Sequence, residues 1–281
     1  RQMCIRDRCR PEMNARRMIN SNERLCMATI PEDMFIEAVN ALVKAEEDWV
    51  PSEPETSLYI RPFAFACESS LGVHKSKAYK FVIILSPVGA YYAEGLAPVK
   101  IMVEDEYVRA VQGGTGFTKC GGNYAGSIIG QVKAEKYGCS QVLWLDGRER
   151  KYVEEVGAMN IMFKIDGEIY TAPIEGTVLP GVTRDSIIHI LKDWGYKVNE
   201  THLSVDDLMQ AGRDGRLEEV YGTGTAAVIS PVGKIVDHGK EICFPSGMEE
   251  MGPYTKKLYD ALTGIQMGRI EAPEGWIKVI K

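Results

Sequence analysis

A chain of 281 residues, 45% hydrophobic and 26% charged, has the composition of a globular protein and the length for one large or two ordinary domains. Its formal charge of −6 and pI near 5.4 argue against nucleic acid or an anionic membrane as the main partner and suit a small-molecule enzyme. The seven cysteines are scattered without a C-x-x-C pair, so neither a disulfide framework nor a zinc site is indicated and reduced cytosol is expected; no stretch nears the roughly 18 apolar residues of a membrane span, and nothing resembles a signal peptide.

Residues 1–9 carry four charges, no useful periodicity and no cap. They read as a foreign or disordered segment joined near Arg10 to the interior of a longer protein. Pro11 begins a helical pattern, and Pro31-Glu32-Asp33 opens a second helix with Phe35, Val39, Leu42 and Val43 on one face. A strand is expected over 57–62, stopped by Pro62, and a buried strand over 80–86. Residues 89–98 read as an interdomain linker, and 99–103 as the first strand of a second domain. A helix from Tyr124 to Lys136 should turn Ile128, Ile129 and Val132 inward and stop at Gly138. Strands follow at 141–145 and 161–165, with Asp166-Gly167 as a hairpin turn before 168–171. Thr183 is the expected N-cap of a helix carrying Ile187, Ile190, Leu191 and Trp194, which leaves amides near residues 181–184 to converge on one spot. Ser204 opens another helix, strands flank Gly222-Thr223-Gly224-Thr225, and a last helix runs over about 253–267.

The segment most in need of a chemical explanation is Gly113-Gly114-Thr115-Gly116-Phe117-Thr118-Lys119-Cys120-Gly121-Gly122-Asn123-Tyr124. Dense glycine lets a backbone turn sharply and leaves room for a ligand. A lysine held in a partly dry pocket loses its proton more readily and can condense with an aldehyde, of which pyridoxal phosphate is the usual one. A P-loop would need Lys directly after Gly and then Ser or Thr, and a dinucleotide fingerprint would need glycine where Lys119 stands. The bland alternative is a glycine-rich surface turn with a solvated lysine.

Six further blocks accompany this one: residues 14–18, L-Y-I-R-P at 58–62, Q-V-L-W-L at 141–145, E-V-G-A-M-N-I at 155–161, L-P-G-V-T-R at 179–184 and G-T-G-T-A at 222–226. With them in order, the chain from about Arg10 onward resembles the branched-chain amino-acid aminotransferases, within the fold-type IV pyridoxal-phosphate enzymes. The resemblance implies a two-domain α+β fold. Its parts would be a small α/β domain over 10–88, incomplete at its N-terminal side, the linker 89–98, and a larger cofactor-binding domain of mixed β-structure and helices over 99–281.

The implied reaction is reversible transamination of L-leucine, L-isoleucine and L-valine with 2-oxoglutarate, giving branched-chain 2-oxo acids and L-glutamate. Lys119 would hold pyridoxal 5'-phosphate as an aldimine and shuttle the proton. Tyr124 would hydrogen-bond the phenolic oxygen. Glu155 would keep the pyridine nitrogen protonated, its neighbour Glu154 being a solvated charge. Arg17, in preference to Arg16, would bind the phosphate with the backbone amides of Val182 and Thr183 and the hydroxyl of Thr223. Tyr59 and Arg61, two apart on a strand and so facing one side, would take the second carboxylate of glutamate. Backbone amides of Thr225 and Ala226 would take the α-carboxylate, and Tyr91 would line the apolar part of the pocket. The family implies amino acids and 2-oxo acids as small-molecule partners, a cytoplasmic homodimer, and no metal, nucleic acid or membrane.

Three departures from the family stand out. Residues 227–230 are Ala-Val-Ile-Ser where some members carry a redox-sensitive C-x-x-C, so no thiol switch is expected. Ala158 replaces a common threonine. Relatives have several dozen residues ahead of the Arg10 region that form strands of the small domain and part of the substrate pocket, so the first domain is expected to fold poorly and turnover to be weak or absent. Two alternatives stay open: another fold-type IV activity, such as a D-amino-acid aminotransferase or aminodeoxychorismate lyase, or an inactive fragment. The four histidines show no ligand spacing and read as surface or packing residues.

Overall fold

The computed structural model describes residues 7–53, 56–89 and 97–279. The chain divides into two units, Arg1–Tyr91 with Thr263–Lys281, and Tyr92–Leu262. The last nineteen residues thus group with the first unit, which the reading of 99–281 as one domain did not anticipate.

In the first unit, Asp7–Cys9 (β1) forms a strand, although these residues read as foreign or disordered. A backbone ladder needs no side-chain periodicity, which is why no pattern of residues marks it. Pro11–Arg24 (α1) starts on proline, whose fixed φ suits the first helical position. Glu32–Ala45 (α2) buries Phe35, Val39 and Val43 at i, i+4 and i+8, against Ala15 and Leu58. Each such side chain stabilises the unit by about 1.5–3 kcal/mol. Ser57–Ala66 (β2) and Tyr79–Val88 (β3) pair antiparallel along their whole length. Pro62 does not stop the strand: it pairs with Ile83, and in a two-stranded ribbon its missing N–H can face the open edge. Nor is β3 buried. Phe81 packs on Phe35, with ring centroids 6.0 Å apart, but Ile84 is 49% exposed.

The second unit is built on Val99–Glu104 (β4), Gly121–Lys136 (α3), Gln141–Leu145 (β5), Val153–Val156 (β6), Met159–Ile165 (β7) and Glu168–Thr171 (β8). Val182–Asp193 (α4), Val198–Glu200 (β9), Val205–Arg213 (α5), Leu217–Gly224 (β10), Val228–Asp237 (β11) and Lys240–Cys243 (β12) follow. Pro253–Gln266 (α6) leads to Ile277–Val279 (β13), which pairs antiparallel with β1. The pairings β4–β5–β6–β7–β10–β11–β4 close on themselves, so six strands form a barrel. Its interior is apolar, with Ile101, Leu143, Val156, Ile161, Phe163, Val220 and Ile235 in one cluster. Because strand side chains alternate, Glu155, Asn160 and Thr223 fall on the other side from that cluster. Asp166 (φ 51°) and Gly167 (φ 76°) make the β7–β8 turn, both left-handed as a two-residue hairpin turn of this kind requires.

The predicted inward face of α3 is reversed. Ile128, Ile129 and Val132 are 61%, 49% and 41% exposed, and the buried positions are Asn123, Gly130 and Ala134. Gly130 decides it: a Cβ there would lie 2.5 Å from the Trp144 ring, so the helix lies on β5 through its small residues. Gly130→Val is expected to destabilise the fold by about 2 kcal/mol through overpacking, while Ile128→Gln shifts it by less than about 0.5 kcal/mol; denaturant unfolding of the two variants measures both.

Thr183 is not the N-cap of α4. Gly181 holds that position, with no side-chain cap hydrogen bond. Ser204 does cap α5, accepting from the Asp207 N–H at 3.0 Å. Ahead of α6, buried Glu219 accepts from the Tyr254 and Thr255 N–H groups at 3.0 and 2.7 Å. A Cβ on Gly252 would meet that carboxylate at 2.3 Å, which gives this glycine a packing role. No helix among the described residues is long and apolar enough to cross a membrane. The four histidines lie at the surface beside carboxylates.

Candidate active site

Lys119 stands one residue before Cys120, the N-cap of α3. The loop that carries it is tied down by Asn123, whose Nδ2 donates to the carbonyls of Thr115 and Thr118, both at 2.9 Å. The Thr115 hydroxyl donates back to Asn123 Oδ1 at 2.8 Å. Gly116 is required by close approach and not by turning, since a Cβ there would lie 2.3 Å from the Thr177 carbonyl oxygen. On this rigid base Lys119 is exposed, and its Nζ donates to Tyr124 Oη at 2.7 Å. Tyr124 lies in the first turn of α3, so the five-residue spacing brings loop amine and helix phenol together.

Glu155 is 3% exposed, on β6. Its Oε1 accepts from Asn160 Nδ2 at 2.9 Å and from the Leu179 N–H at 3.0 Å. Its Oε2 is 2.8 Å from Arg109 Nε, and that guanidinium also donates from Nη2 to the Thr177 and Gly116 carbonyls. Burial pushes the Glu155 carboxyl up to about 7, against the opposing pull of Arg109, the Leu179 N–H and Lys119, with Glu154 adding to the rise. Glu154, expected to be a solvated charge, is only 7% exposed, and burial raises its carboxyl as well. A small cleft in this unit is lined by Tyr124, Ser127, Glu155, Gly157, Ala158 and Leu179, so Tyr124 and Glu155 share one opening.

Val182 and Thr183 are the first two residues of α4. Their N–H groups belong to the turn that has no acceptor within the helix, at the positive end of its dipole. Thr223, on β10, is 2% exposed, and its Oγ1 has no hydrogen-bond partner. A buried hydroxyl left in that state is unfavourable unless a ligand supplies the partner. Thr225 and Ala226 are exposed in the β10–β11 turn. That turn ends on Val228 at φ 56°, a strained conformation for a β-branched residue.

In the first unit, Tyr59 and Arg61 on β2 do converge, with Arg61 Nη2 donating to Tyr59 Oη at 3.4 Å. Of the adjacent arginines on α1, Arg16 is engaged by Glu32 at 2.8 Å, whereas Arg17 is partly buried and donates to Asn14 Oδ1 at 3.1 Å. Tyr91 lies outside the described residues.

Sequence reasoning missed Arg109, Asn123 and Asn160 as contributors. For two of them a signal existed: Arg109 is a lone charge inside Val108-Arg109-Ala110-Val111, and Asn160 a lone amide inside an apolar strand. Polar groups so placed are buried only when they are hydrogen-bonded.

Residues 9–235 match the family described as amino-transferase class IV. The chain is similar to branched-chain-amino-acid aminotransferase 2 of Bacillus subtilis (strain 168), 54% identical over 267 residues that cover 95% of this chain and 73% of that protein. It is 52% identical over 272 residues to a probable branched-chain-amino-acid aminotransferase of Staphylococcus aureus (strain N315), covering 96% and 75%. Among solved structures it resembles a T.th. branched-chain amino acid aminotransferase with pyridoxamine 5'-phosphate, at TM-score 0.81 and 28% identity, with 98% of this chain and 85% of that one covered. The Escherichia coli branched-chain amino acid aminotransferase aligns at TM-score 0.79 and 28% identity, over 97% and 84%.

Proposed function

Because the chain belongs to the class IV aminotransferases, we infer that it transfers the amino group of L-leucine, L-isoleucine and L-valine to 2-oxoglutarate, using pyridoxal 5'-phosphate. The observation that carries this is the pairing of Lys119 Nζ with Tyr124 Oη at 2.7 Å on the cleft that Glu155 also lines. It is joined to identity above 50% with branched-chain aminotransferases over most of the chain.

The residues fit that cofactor. The partnerless buried hydroxyl of Thr223 and the uncapped start of α4 suit a phosphate, and the buried carboxyl of Glu155 suits a cationic ring nitrogen. When bound, pyridoxal phosphate supplies the electron sink that stabilises a carbanion at the substrate Cα. Lys119 would tether the cofactor through its amine and, when that amine is free, would carry the proton to and from that carbon. Tyr124 orients the amine and faces the cofactor's phenolic oxygen. Glu155 in its anionic form keeps the ring nitrogen protonated. Arg17, the amides of Val182 and Thr183, and Thr223 Oγ1 hold the phosphate. Tyr59 and Arg61 receive the distal carboxylate of glutamate, the amides of Thr225 and Ala226 the α-carboxylate, and Tyr91 the apolar side chain. A cytoplasmic homodimer without nucleic-acid or membrane partners completes the proposal.

Amino-donor profiling of the purified chain with pyridoxal 5'-phosphate and 2-oxoglutarate tests it. Leucine, isoleucine and valine should outpace D-alanine and D-glutamate by at least about tenfold in kcat/KM; preference for a D-amino acid would refute the assignment. Thr223→Val is expected to weaken cofactor binding about tenfold, since a hydrogen bond to a charged group is lost. The same change leaves the cofactor-free protein as stable or slightly more so, because a buried hydroxyl without a partner is removed. Titration calorimetry and thermal unfolding give the two readings.

A further inference from the structure

Asn160 occupies a position that no role described so far accounts for. It is 4% exposed, the second residue of β7, and it pairs across the sheet with Glu155 on one side and Thr223 on the other. Residues opposite one another in neighbouring strands present their side chains on one face. Glu155, Asn160 and Thr223 therefore form a single row outside the barrel. Asn160 Nδ2 donates both to Glu155 Oε1 and to the Leu179 carbonyl, each at 2.9 Å, while the Leu179 N–H donates to the same Oε1 at 3.0 Å. The Leu179 carbonyl can only accept, so the Asn160 edge that faces it must be the NH2, and the orientation of the side chain is fixed by chemistry. The other edge of the amide is enclosed: a Cβ on Gly181 would lie 2.1 Å from Asn160 Oδ1.

Resting on the function proposed above, we propose that Asn160 is a positioning residue that locks the Glu155 carboxylate to the 179–181 segment that leads into α4. The carboxylate that meets the ring nitrogen and the helix start that meets the phosphate then hold one fixed spacing. Removing the amide acts on both ends. It takes away a donor that favours the anionic form of Glu155, and it frees the peptide that leads into Val182 and Thr183. The other groups that set the charge of Glu155 are Arg109 from the segment before the glycine-rich loop, the Leu179 N–H, Glu154 on its own strand and Lys119. Of these only the Leu179 peptide is also held by Asn160, so the substitution acts on Glu155 directly and through that N–H.

The test is a carbon-13 NMR titration of the Glu155 carboxyl in cofactor-free wild type, Asn160→Ala and Asn160→Asp, followed by pyridoxal 5'-phosphate affinity against pH for each. In Asn160→Ala the Glu155 midpoint is expected to rise by about one pH unit, which corresponds to about tenfold weaker cofactor binding below the midpoint. In the isosteric Asn160→Asp it should rise further, because a second carboxylate faces the first. A midpoint unchanged in both variants, with stability merely lowered at every pH, would overturn the proposal. Asn160→Asp supplies the answer if the alanine variant does not fold. The titration needs no cofactor, so a wild-type chain that fails to bind pyridoxal phosphate would count against the proposed function and leave the reading on Asn160 standing.

Discussion

Lys119→Ala is expected to lower transamination by at least about 10⁴-fold, because in the proposed function one group serves as tether and as proton carrier and general acid–base catalysis alone contributes up to about that factor. At 1.36 kcal/mol per tenfold this is about 5 kcal/mol of lost transition-state stabilisation. Lys119 is exposed and the loop is held by Asn123, so the change should leave folding stability within about 0.5 kcal/mol. Lys119→Arg separates charge from chemistry: it keeps a cation near Tyr124 but cannot release a proton near neutral pH, and it should be as inactive as alanine. Borohydride reduction of the loaded protein followed by mass spectrometry gives a readout independent of turnover. Wild type should retain the cofactor mass on the peptide containing Lys119, and both variants should not. Retained label at another lysine would displace Lys119 from the centre of the site.

Glu155→Gln is expected to reduce kcat by about 10²–10³-fold, the scale of removing one preorganised electrostatic partner from a dry site. An amide cannot hold a proton on the ring nitrogen. The carboxyl sits near pH 7 before any cofactor arrives, pushed there by burial. In the proposed role the anion is the form that meets the ring nitrogen, so cofactor affinity should be full well above pH 7 and fall as the pH drops through about 7. In Glu155→Gln that dependence should vanish. The variant also leaves buried Arg109 without its carboxylate, although the Gly116 and Thr177 carbonyls remain as acceptors. A folding penalty of about 3 kcal/mol is therefore expected, measured by unfolding of the cofactor-free protein and kept apart from the kinetic loss. Glu154→Gln is the control. It neutralises the adjacent carboxyl without touching the Asn160 and Leu179 hydrogen bonds, and activity should stay within about threefold.

Much of the fold was legible because its signals are local. Pro11 and Pro31 mark helix starts, Ser204 caps α5, and Asp166-Gly167 makes the hairpin turn. The errors share a different cause. The apolar stripe Ile128, Ile129 and Val132 looked like a core face by periodicity. The small-residue face won instead, because the Trp144 ring has to lie against a position with no Cβ. Pro62 looked like a stop, but a two-stranded ribbon offers an edge that tolerates it. Thr183 looked like the better cap, yet Gly181 takes that place, and a Cβ there would meet Asn160 of β7.

The chemistry of this protein is already written along the chain: an amine at position 119 with a phenol five residues on, a carboxylate at 155, and the blocks that mark the family. These depend on residue type and short spacing, which a chain carries before it folds. The state of those groups is a matter of the assembled fold alone. Arg109, Asn160 and Leu179 are 46, 5 and 24 positions from Glu155, respectively, yet they surround one carboxylate once the barrel closes. The charge of a buried acid depends on how many donors reach it and how little water does. Both are properties of strands brought together, which no single stretch of the chain contains.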